Sequence, residues 1–194
     1  MSPVGSKSRH SGFTLVELLV GLLASLFILA GIYSVLQSQQ VAFSNQEQIN
    51  EMNQNIRGVM DLMAREVRLA GYKTSTAVFN GIATAQPSTI RLLADVNQDG
   101  SILGSTEDVT YSYDVDTLRI CRNGVSLPIA ENITNLTFVY TLVNGTTTSN
   151  PASLDTIRKV RISITARTRY PDLSTGQHRT LTLSSDVTPR NLIS

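Results

Sequence analysis

The sequence is poor in the residues that form covalent cross-links and metal clusters. It has a single cysteine, Cys121, so no disulfide can form within the chain. Its two histidines, His10 and His178, are far apart, which excludes a Cys/His cluster that would bind zinc or iron. The sequence also lacks a Gly-x-Ser-x-Gly motif, a Walker loop and a credible Ser/His/Asp set. We therefore expect this protein not to be an enzyme.

The chain has no large excess of charge of either sign. It has 16 Lys and Arg residues against 15 Asp and Glu residues, a net charge of +1. Lys7 and Arg9 precede Gly12, whereas every acidic residue follows it, so the chain after Gly12 has 14 basic and 15 acidic side chains. A protein with so little net charge has no general attraction to nucleic acid, and we expect no nucleic-acid partner.

Proline is absent from residues 13–72, and a long apolar run lies in that region. Between residues 18 and 36 the run is interrupted only by Ser25, Tyr33 and Ser34, and it contains two glycines of the kind that membrane helices tolerate. At about 1.5 Å per residue, this run spans roughly 28 Å, close to the thickness of a hydrocarbon core. The sequence therefore predicts a membrane-spanning helix over residues 13–36.

One acidic residue, Glu17, opens this apolar run. A charged residue near the centre of a membrane helix costs about 2.5 to 3.5 kcal/mol, so Glu17 needs a partner or a shallow position. An ordinary secretory signal is the alternative interpretation of the segment. However, Glu17 lies inside the apolar region, and no Ala-x-Ala type cleavage site is evident after it. The carboxylate therefore raises the question of assembly with another chain.

Helical periodicity continues after the apolar run. Over residues 37–71, apolar side chains recur at steps of three and four residues, which predicts an amphipathic helix with one apolar face. This stripe consists of Ile49, Met52, Ile56, Val59, Met63, Val67 and Ala70. Gly71 is the predicted C-cap, because helices often end at a glycine in the left-handed conformation. We expect the stripe to pack against a globular head rather than bind a ligand.

Beyond residue 72 the periodicity changes to two, which is typical of half-buried strands. The predicted strands cover residues 89–94, 109–115, 118–122, 125–129, 134–143, 157–168 and 180–187, and Asn123-Gly124 predicts a type I′ turn. We predict an antiparallel meander whose apolar face is covered by the striped helix. The predicted fold class is α+β: a long N-terminal α-helix, membrane-spanning in its first half, packed against an antiparallel β-sheet head over residues 72–194.

A loop between two predicted strands has the spacing of a calcium site. Residues 95–102 read Asp-Val-Asn-Gln-Asp-Gly-Ser-Ile, which matches the first eight positions of an EF-hand loop. The ending departs from that pattern, because position twelve is Thr106 and the acidic Glu107 follows it. The candidate Ca²⁺ ligands are Asp95, Asn97, Asp99, Ser101 and Glu107. A polar loop with a tight Asp-Gly turn is the alternative interpretation.

Four basic residues lie on one face of the strand predicted over residues 157–168 and just beyond it. They are Lys159, Arg161, Arg167 and Arg169. No aromatic residues alternate with them, so the stacking surface of a single-strand nucleic-acid binder is missing. The solvated outer face of a sheet is the favoured interpretation, and a salt-bridging contact with another subunit is the functional alternative.

The N-terminal residues resemble a known processing signal. A short polar leader, then Gly-Phe-Thr-Leu-Val-Glu at residues 12–17 and the apolar run, are similar to the signal of type IV prepilins and type II secretion pseudopilins. The resemblance implies that a prepilin peptidase/methyltransferase removes residues 1–12 by cutting after Gly12 and methylates the new amino terminus at Phe13. It also implies that Glu17 pairs with the terminal amine of a neighbouring subunit, so other pilins or pseudopilins are the implied partners.

Two further stretches of the sequence point to a particular class of pilin subunit. Residues 60–72 and 187–192 are similar to the helix end and the chain end of PilW-type minor pilins, with J-type minor pseudopilins close behind. Many major pilins close their C-terminal loop with a disulfide, so the lone Cys121 fits a minor subunit. The resemblance implies a structural subunit that primes assembly. The resemblance also implies that this subunit is held in the bacterial inner membrane by a single span, with its head in the periplasm, before it enters a pilus or pseudopilus at the cell surface.

Two alternatives to a PilW-type minor pilin stay open. The first is a J-type minor pseudopilin of a type II secretion system, which shares the same processing signal. The second belongs to another class of protein, a membrane-tethered binding or sensing module that uses the calcium loop. An uncut leader, or cleavage after the apolar segment, favours this second alternative.

Overall fold

The computed structural model describes residues 12–74, 78–124 and 127–192. Residues 1–11 of the predicted leader therefore lie outside the described part of the chain. The chain forms two compact units, Met1–Ser44 and Asn45–Ser194. Helix α1, Leu15–Leu69, begins in the first unit and ends in the second. Its length confirms the long N-terminal helix that the proline-free sequence predicts.

Helix α1 ends where the sequence predicts. Gly71 has a φ of +80°, a left-handed conformation that glycine adopts without steric cost. The N–H of Tyr72 donates to the Leu69 carbonyl at 2.9 Å, which satisfies one of the last free carbonyls of the helix. A Cβ at Gly71 would also lie 3.0 Å from the Asn191 carbonyl oxygen, so the site is crowded as well as conformationally restricted.

The first sheet is a five-stranded antiparallel meander. Its strands are β1 (Ile82–Ala85), β2 (Thr89–Leu93), β3 (Asp108–Asp114), β4 (Arg119–Arg122) and β5 (Pro128–Ala130), and they pair in chain order. Strand β1 has no counterpart among the predicted strands. The strand predicted over 125–129 corresponds to β5, and its first two residues lie outside the described part.

The second sheet has four antiparallel strands in the order β7-β6-β8-β9. They are β6 (Ile133–Leu142), β7 (Thr147–Thr148), β8 (Ile157–Arg167) and β9 (Thr180–Val187). The prediction of a single meander is therefore wrong. After β5 the chain turns through Asn132, whose φ is +59°, and β6 pairs with β7 and β8 instead of continuing the first sheet.

The turn after β4 also differs from the prediction. Asn123 and Gly124 both have positive φ, as a type I′ turn requires. However, the N–H of Arg122 donates to the carbonyl of Leu127 at 3.1 Å. A two-residue hairpin would pair Arg122 with residue 125, so the connection is longer than predicted.

The second half of α1 and both sheets share one hydrophobic core. The buried side chains of the helix are Met52, Ile56, Val59, Met60, Met63, Ala64 and Val67, and they include most of the predicted stripe. The sheets contribute buried residues at alternate positions, such as Ile90 and Leu92 in β2 and Val160, Ile162 and Ile164 in β8. This arrangement confirms the predicted α+β fold, in which the striped part of the helix covers antiparallel sheets.

Hydrogen bonds from tyrosine side chains connect the two sheets. The Tyr113 hydroxyl donates to the Ile133 carbonyl at 3.1 Å, and the Tyr140 hydroxyl donates to the Gln86 carbonyl at 3.0 Å. Burial raises the pKa of both phenols, so they remain protonated donors at neutral pH. The sheets are therefore joined by polar contacts as well as by the shared core.

Candidate functional site

The N-terminal residues form a capping box at the start of α1. The N–H and the hydroxyl of Thr14 donate to Oε2 of Glu17 at 2.9 and 2.8 Å, and the N–H of Glu17 donates to the Thr14 hydroxyl at 3.3 Å. These reciprocal bonds satisfy backbone donors that a helix otherwise leaves free. The Thr-x-x-Glu spacing is a sequence signature of this motif, but Thr14 is not among the predicted site residues.

The capping box leaves part of the Glu17 carboxylate accessible. In the described part of the chain, both hydrogen bonds donated to this carboxylate go to Oε2. The preceding residue Phe13, the predicted new amino terminus, is 86% exposed. Phe13 and Glu17 therefore lie at the surface of the first unit, where another chain can contact both.

The apolar part of the first unit has no cover from its own chain. The apolar side chains between Leu15 and Leu36 are exposed, and α1 is long and apolar enough here to cross a membrane. A helix that is apolar on all sides is normally buried in lipid or among other helices. The first unit thus offers an apolar surface with a carboxylate at its first turn.

The predicted calcium loop connects β2 to β3. Asp95 is fully buried, and its Oδ2 accepts hydrogen bonds from the Gly100 N–H at 3.1 Å and the Thr74 hydroxyl at 3.2 Å. Asn97 and Asp99 are exposed and bond to each other, with the Asn97 amide nitrogen 3.0 Å from Asp99 Oδ2. Within this loop, Asn97 therefore contacts Asp99, and Asp95 contacts Gly100.

Glu107 reaches the same loop from the turn that precedes β3. Its Oε1 accepts from the backbone N–H groups of Val96 and Asn97 at 3.1 and 3.2 Å, and its Oε2 accepts from the Gly104 N–H at 3.3 Å. The residue is 4% exposed. No group of three His, Cys, Asp or Glu side chains suited to a metal occurs among the described residues, so a cation here would depend on amide and carbonyl oxygens too.

A half-buried ionic cluster holds the second half of α1 against the first sheet. Arg122 in β4 donates to both oxygens of Glu66 in the helix, with Nη2 2.9 Å from Oε1. The Tyr111 hydroxyl in β3 donates to Oε2 of the same carboxylate. Burial and the Glu66 carboxylate raise the pKa of Tyr111, so it remains a donor. Sequence reasoning missed this cluster, because its three members have no common spacing.

Asp172 is a second polar centre that the sequence did not reveal. It is buried in the loop between β8 and β9 and accepts hydrogen bonds from Ser174, Arg179 and Asn45, the last at 2.9 Å from the second half of α1. These donors, first Ser174 and then Arg179, hold the pKa of Asp172 well below its usual range. The carboxylate therefore stays ionised and ties this loop to the helix within the second unit.

The predicted basic face is largely balanced by the chain itself. Arg161 forms a two-point ion pair with Asp186 of β9, at 2.6 and 2.9 Å, and Lys159 lies 4.0 Å from the same carboxylate. Arg161 lowers the pKa of Asp186 by donating to it. Arg169 lies over the ring of Tyr170 at 5.5 Å. This geometry supports the interpretation of a solvated outer sheet face over that of a free basic stripe.

Two family models match the chain. The model described as prepilin peptidase-dependent protein B matches residues 45–187, which is most of the chain and includes the second half of α1 and both sheets. The model described as the prokaryotic N-terminal methylation motif matches residues 7–33 and therefore contains Gly12, Phe13 and Glu17. No curated protein and no solved structure matches the chain.

Proposed function

Because the chain belongs to the prepilin peptidase-dependent protein B family, we propose that it is a minor subunit of a type IV pilus, of the PilW type. The observation that carries the proposal is the uncovered apolar surface of the first unit, with Glu17 at its first turn. The matched methylation motif supports processing by the prepilin peptidase, with cleavage after Gly12 and methylation of Phe13. The subunit has a structural role and carries out no catalysis.

Assembly proceeds through the first unit. Before assembly, the bacterial inner membrane covers its apolar surface and the head is in the periplasm. During assembly, the helices of other pilins replace the lipid. Cleavage creates an ammonium group at Phe13, which methylation leaves able to carry a positive charge. This ammonium pairs with Glu17 of a neighbouring subunit, and each pair neutralises two charges that are costly in an apolar environment.

The capping box gives Glu17 a partner at each stage of this process. In the separate subunit, Thr14 donates two hydrogen bonds to Glu17 Oε2. Since these bonds leave Oε1 for another donor, the carboxylate can accept a neighbour's ammonium without first breaking the cap. The proposed pairing therefore adds a contact to a helix start that is already formed.

The first experiment replaces Glu17 and follows the subunit through processing. We expect Glu17→Ala to be cleaved and inserted into the membrane but to be strongly depleted from sheared filaments, because the ammonium of its neighbour lacks a partner. The matched control is Glu47→Ala, which removes an exposed carboxylate elsewhere on the same helix. Normal incorporation of Glu17→Ala would contradict the pairing, as would equal depletion of both variants.

A second experiment tests the processing step by itself. We expect the membrane-bound wild-type protein to have the mass of residues 13–194 plus one methyl group, and Gly12→Ala to retain the leader. A wild-type mass that includes residues 1–12, or one that shows cleavage after the apolar segment, would instead favour a membrane-tethered sensor.

The residue patterns at 60–72 and 187–192 resemble those of J-type minor pseudopilins as well, so the experiments must separate the two assemblies. Deletion of the gene is expected to remove surface pili and twitching while leaving enzyme secretion intact. Accumulation of a secreted enzyme in the periplasm, with normal pili, would instead assign the subunit to a type II secretion system.

A further inference from the structure

We propose that the loop between β2 and β3 binds one Ca²⁺ ion through the side chains of Asp95, Asn97 and Asp99 and the backbone carbonyl of Ser101. These are positions one, three, five and seven of an EF-hand loop, the seventh of which uses its carbonyl oxygen. The loop joins two strands rather than two helices. The proposal does not depend on the assembly mechanism, because all of its residues lie in the second unit.

The first observation is an unpartnered oxygen on Asp95. The residue has no exposed surface, yet its Oδ1 has no hydrogen-bond partner within the described ranges. The other oxygen, Oδ2, accepts from the Gly100 N–H of the loop and from the Thr74 hydroxyl. A buried carboxylate oxygen without a donor is costly, and a cation bound inside the loop would remove that cost.

The second observation is that the loop lacks positive charge. No lysine or arginine occurs between Arg91 and Arg119, and Arg91 is paired with Asp108. Among the described residues, Asp95 and Glu107 are both buried, and no salt bridge reaches either of them. Buried charges in proteins are normally paired or bound to metal. A divalent cation supplies the charge that the chain does not.

The third observation is that backbone N–H groups of the loop hold the exposed side chains of Asn97 and Asp99 in place. Asn97 Oδ1 accepts from the Asp99 N–H at 2.9 Å, and Asp99 Oδ1 accepts from the Ser101 N–H at 2.7 Å. Each of these oxygens retains a second lone pair for a metal. The chain reverses at Gln98 and Gly100, whose φ values are +64° and +82°. These turns fold the loop so that the N–H of Gly100 contacts the buried Asp95.

Glu107 has a different role in this site from the one expected from sequence. Because both of its oxygens accept backbone N–H groups of the loop, we assign it as a positioning residue that holds residues 96 and 97 in place. The ligand set consists only of oxygens. This composition favours Ca²⁺ or Mg²⁺ over zinc or copper, and an irregular loop suits the flexible geometry of Ca²⁺ better than the strict octahedron of Mg²⁺. We expect a dissociation constant of about 10⁻⁴ to 10⁻³ M, as in extracellular calcium modules.

The test uses the full chain in detergent micelles, freed of metal by dialysis against EDTA and then titrated with CaCl₂. We expect calorimetry to show one bound Ca²⁺ per chain. We also expect the melting temperature to rise with CaCl₂ but not with the same concentration of MgCl₂. The absence of both binding and stabilisation at millimolar Ca²⁺ would overturn the proposal, as would equal stabilisation by Mg²⁺.

Three variants assign the site to this loop. Asp99→Asn replaces an exposed side chain and is expected to weaken Ca²⁺ binding by about tenfold or more, without changing the fold in EDTA. Asp116→Asn, in the exposed turn after β3, is the matched control and is expected to bind as the wild type does. Unchanged affinity in Asp99→Asn, or equal losses in the two variants, would place the ion elsewhere.

The third variant, Asp95→Asn, tests whether the buried Asp95 carboxylate is a metal ligand. If it is, the variant stays folded in EDTA but its melting temperature no longer rises with Ca²⁺. A variant that keeps the full response to Ca²⁺ would contradict the ligand role of Asp95. Circular dichroism in EDTA verifies that each variant is folded before the titration.

Discussion

The two halves of helix α1 have the same backbone conformation but different surroundings. Before Ser44, apolar side chains are exposed on every side of the helix; after Asn45, one face is buried against two sheets and the other is polar. The second half is thus stabilised by its own chain. The first half needs lipid or other helices, which is what a subunit that moves from a membrane into a filament requires.

The two halves also differ in the hydrogen-bond partners of their carboxylates. Glu66, in the second half, has its partners inside the chain, because Arg122 and Tyr111 both donate to it. Glu17, in the first half, has only Thr14 of its own first turn. Folding of the chain therefore supplies partners for Glu66, whereas in the proposed assembly a neighbouring subunit supplies the countercharge of Glu17.

The largest expected effect tests the difference in burial. We expect Ile56→Ala to lower the free energy of unfolding of the head by about 2 to 5 kcal/mol, because it leaves a cavity in the core. The matched variant Ile28→Ala removes the same atoms from the exposed first half and is expected to change this free energy by less than about 0.5 kcal/mol. Urea denaturation in micelles, followed by tyrosine fluorescence, measures both, since the chain has no tryptophan. Similar losses in the two variants would show that the two halves of α1 contribute equally to the stability of the head.

A smaller effect is expected from the charge pair of the second half. Arg122→Ala leaves the half-buried Glu66 without its cation and is expected to cost about 1.5 to 3 kcal/mol. Arg119→Ala is the matched control, because its ion pair with Glu131 is exposed and worth less than about 1 kcal/mol. A double-mutant cycle with Glu66→Ala should give a coupling of about 1 to 3 kcal/mol. A coupling near zero would mean that the cluster does not hold the helix to the sheet.

The smallest expected effect concerns the capping box of the first half. We expect Thr14→Ala to cost about 1 kcal/mol of local helix stability, because it removes a side-chain cap. Hydrogen exchange of the first-turn amides is then about fivefold faster, while the amides of residues 56–67 are unaffected. The control is Ser38→Ala, whose hydroxyl only bonds back to the Ser34 carbonyl within the helix. Unchanged exchange of the first-turn amides in Thr14→Ala would show that the capping box does not stabilise the start of the helix.

Local pattern predicted much of this molecule. The proline-free apolar run, the stripe from Met52 to Val67 and the glycine at position 71 are properties of neighbouring residues, and the structure confirms the helix, its buried face and its end. Strands β2, β3, β6, β8 and β9 follow their alternating burial in the same way. The short strands β1 and β7 were missed, because two to four residues carry too little periodicity.

The sequence by itself determined where the chain can be a membrane helix, where that helix becomes amphipathic, and where the processing signal and calcium-like loop lie, because each of these is a pattern of nearby residues. The tertiary structure decided how the strands divide between two sheets and which donors the Glu66 and Asp172 carboxylates have. Glu66 and Arg122 are 56 residues apart in the chain, and Asn45 and Asp172 are 127 apart. Such pairs form only when the shared core brings their elements together, and no local periodicity encodes them.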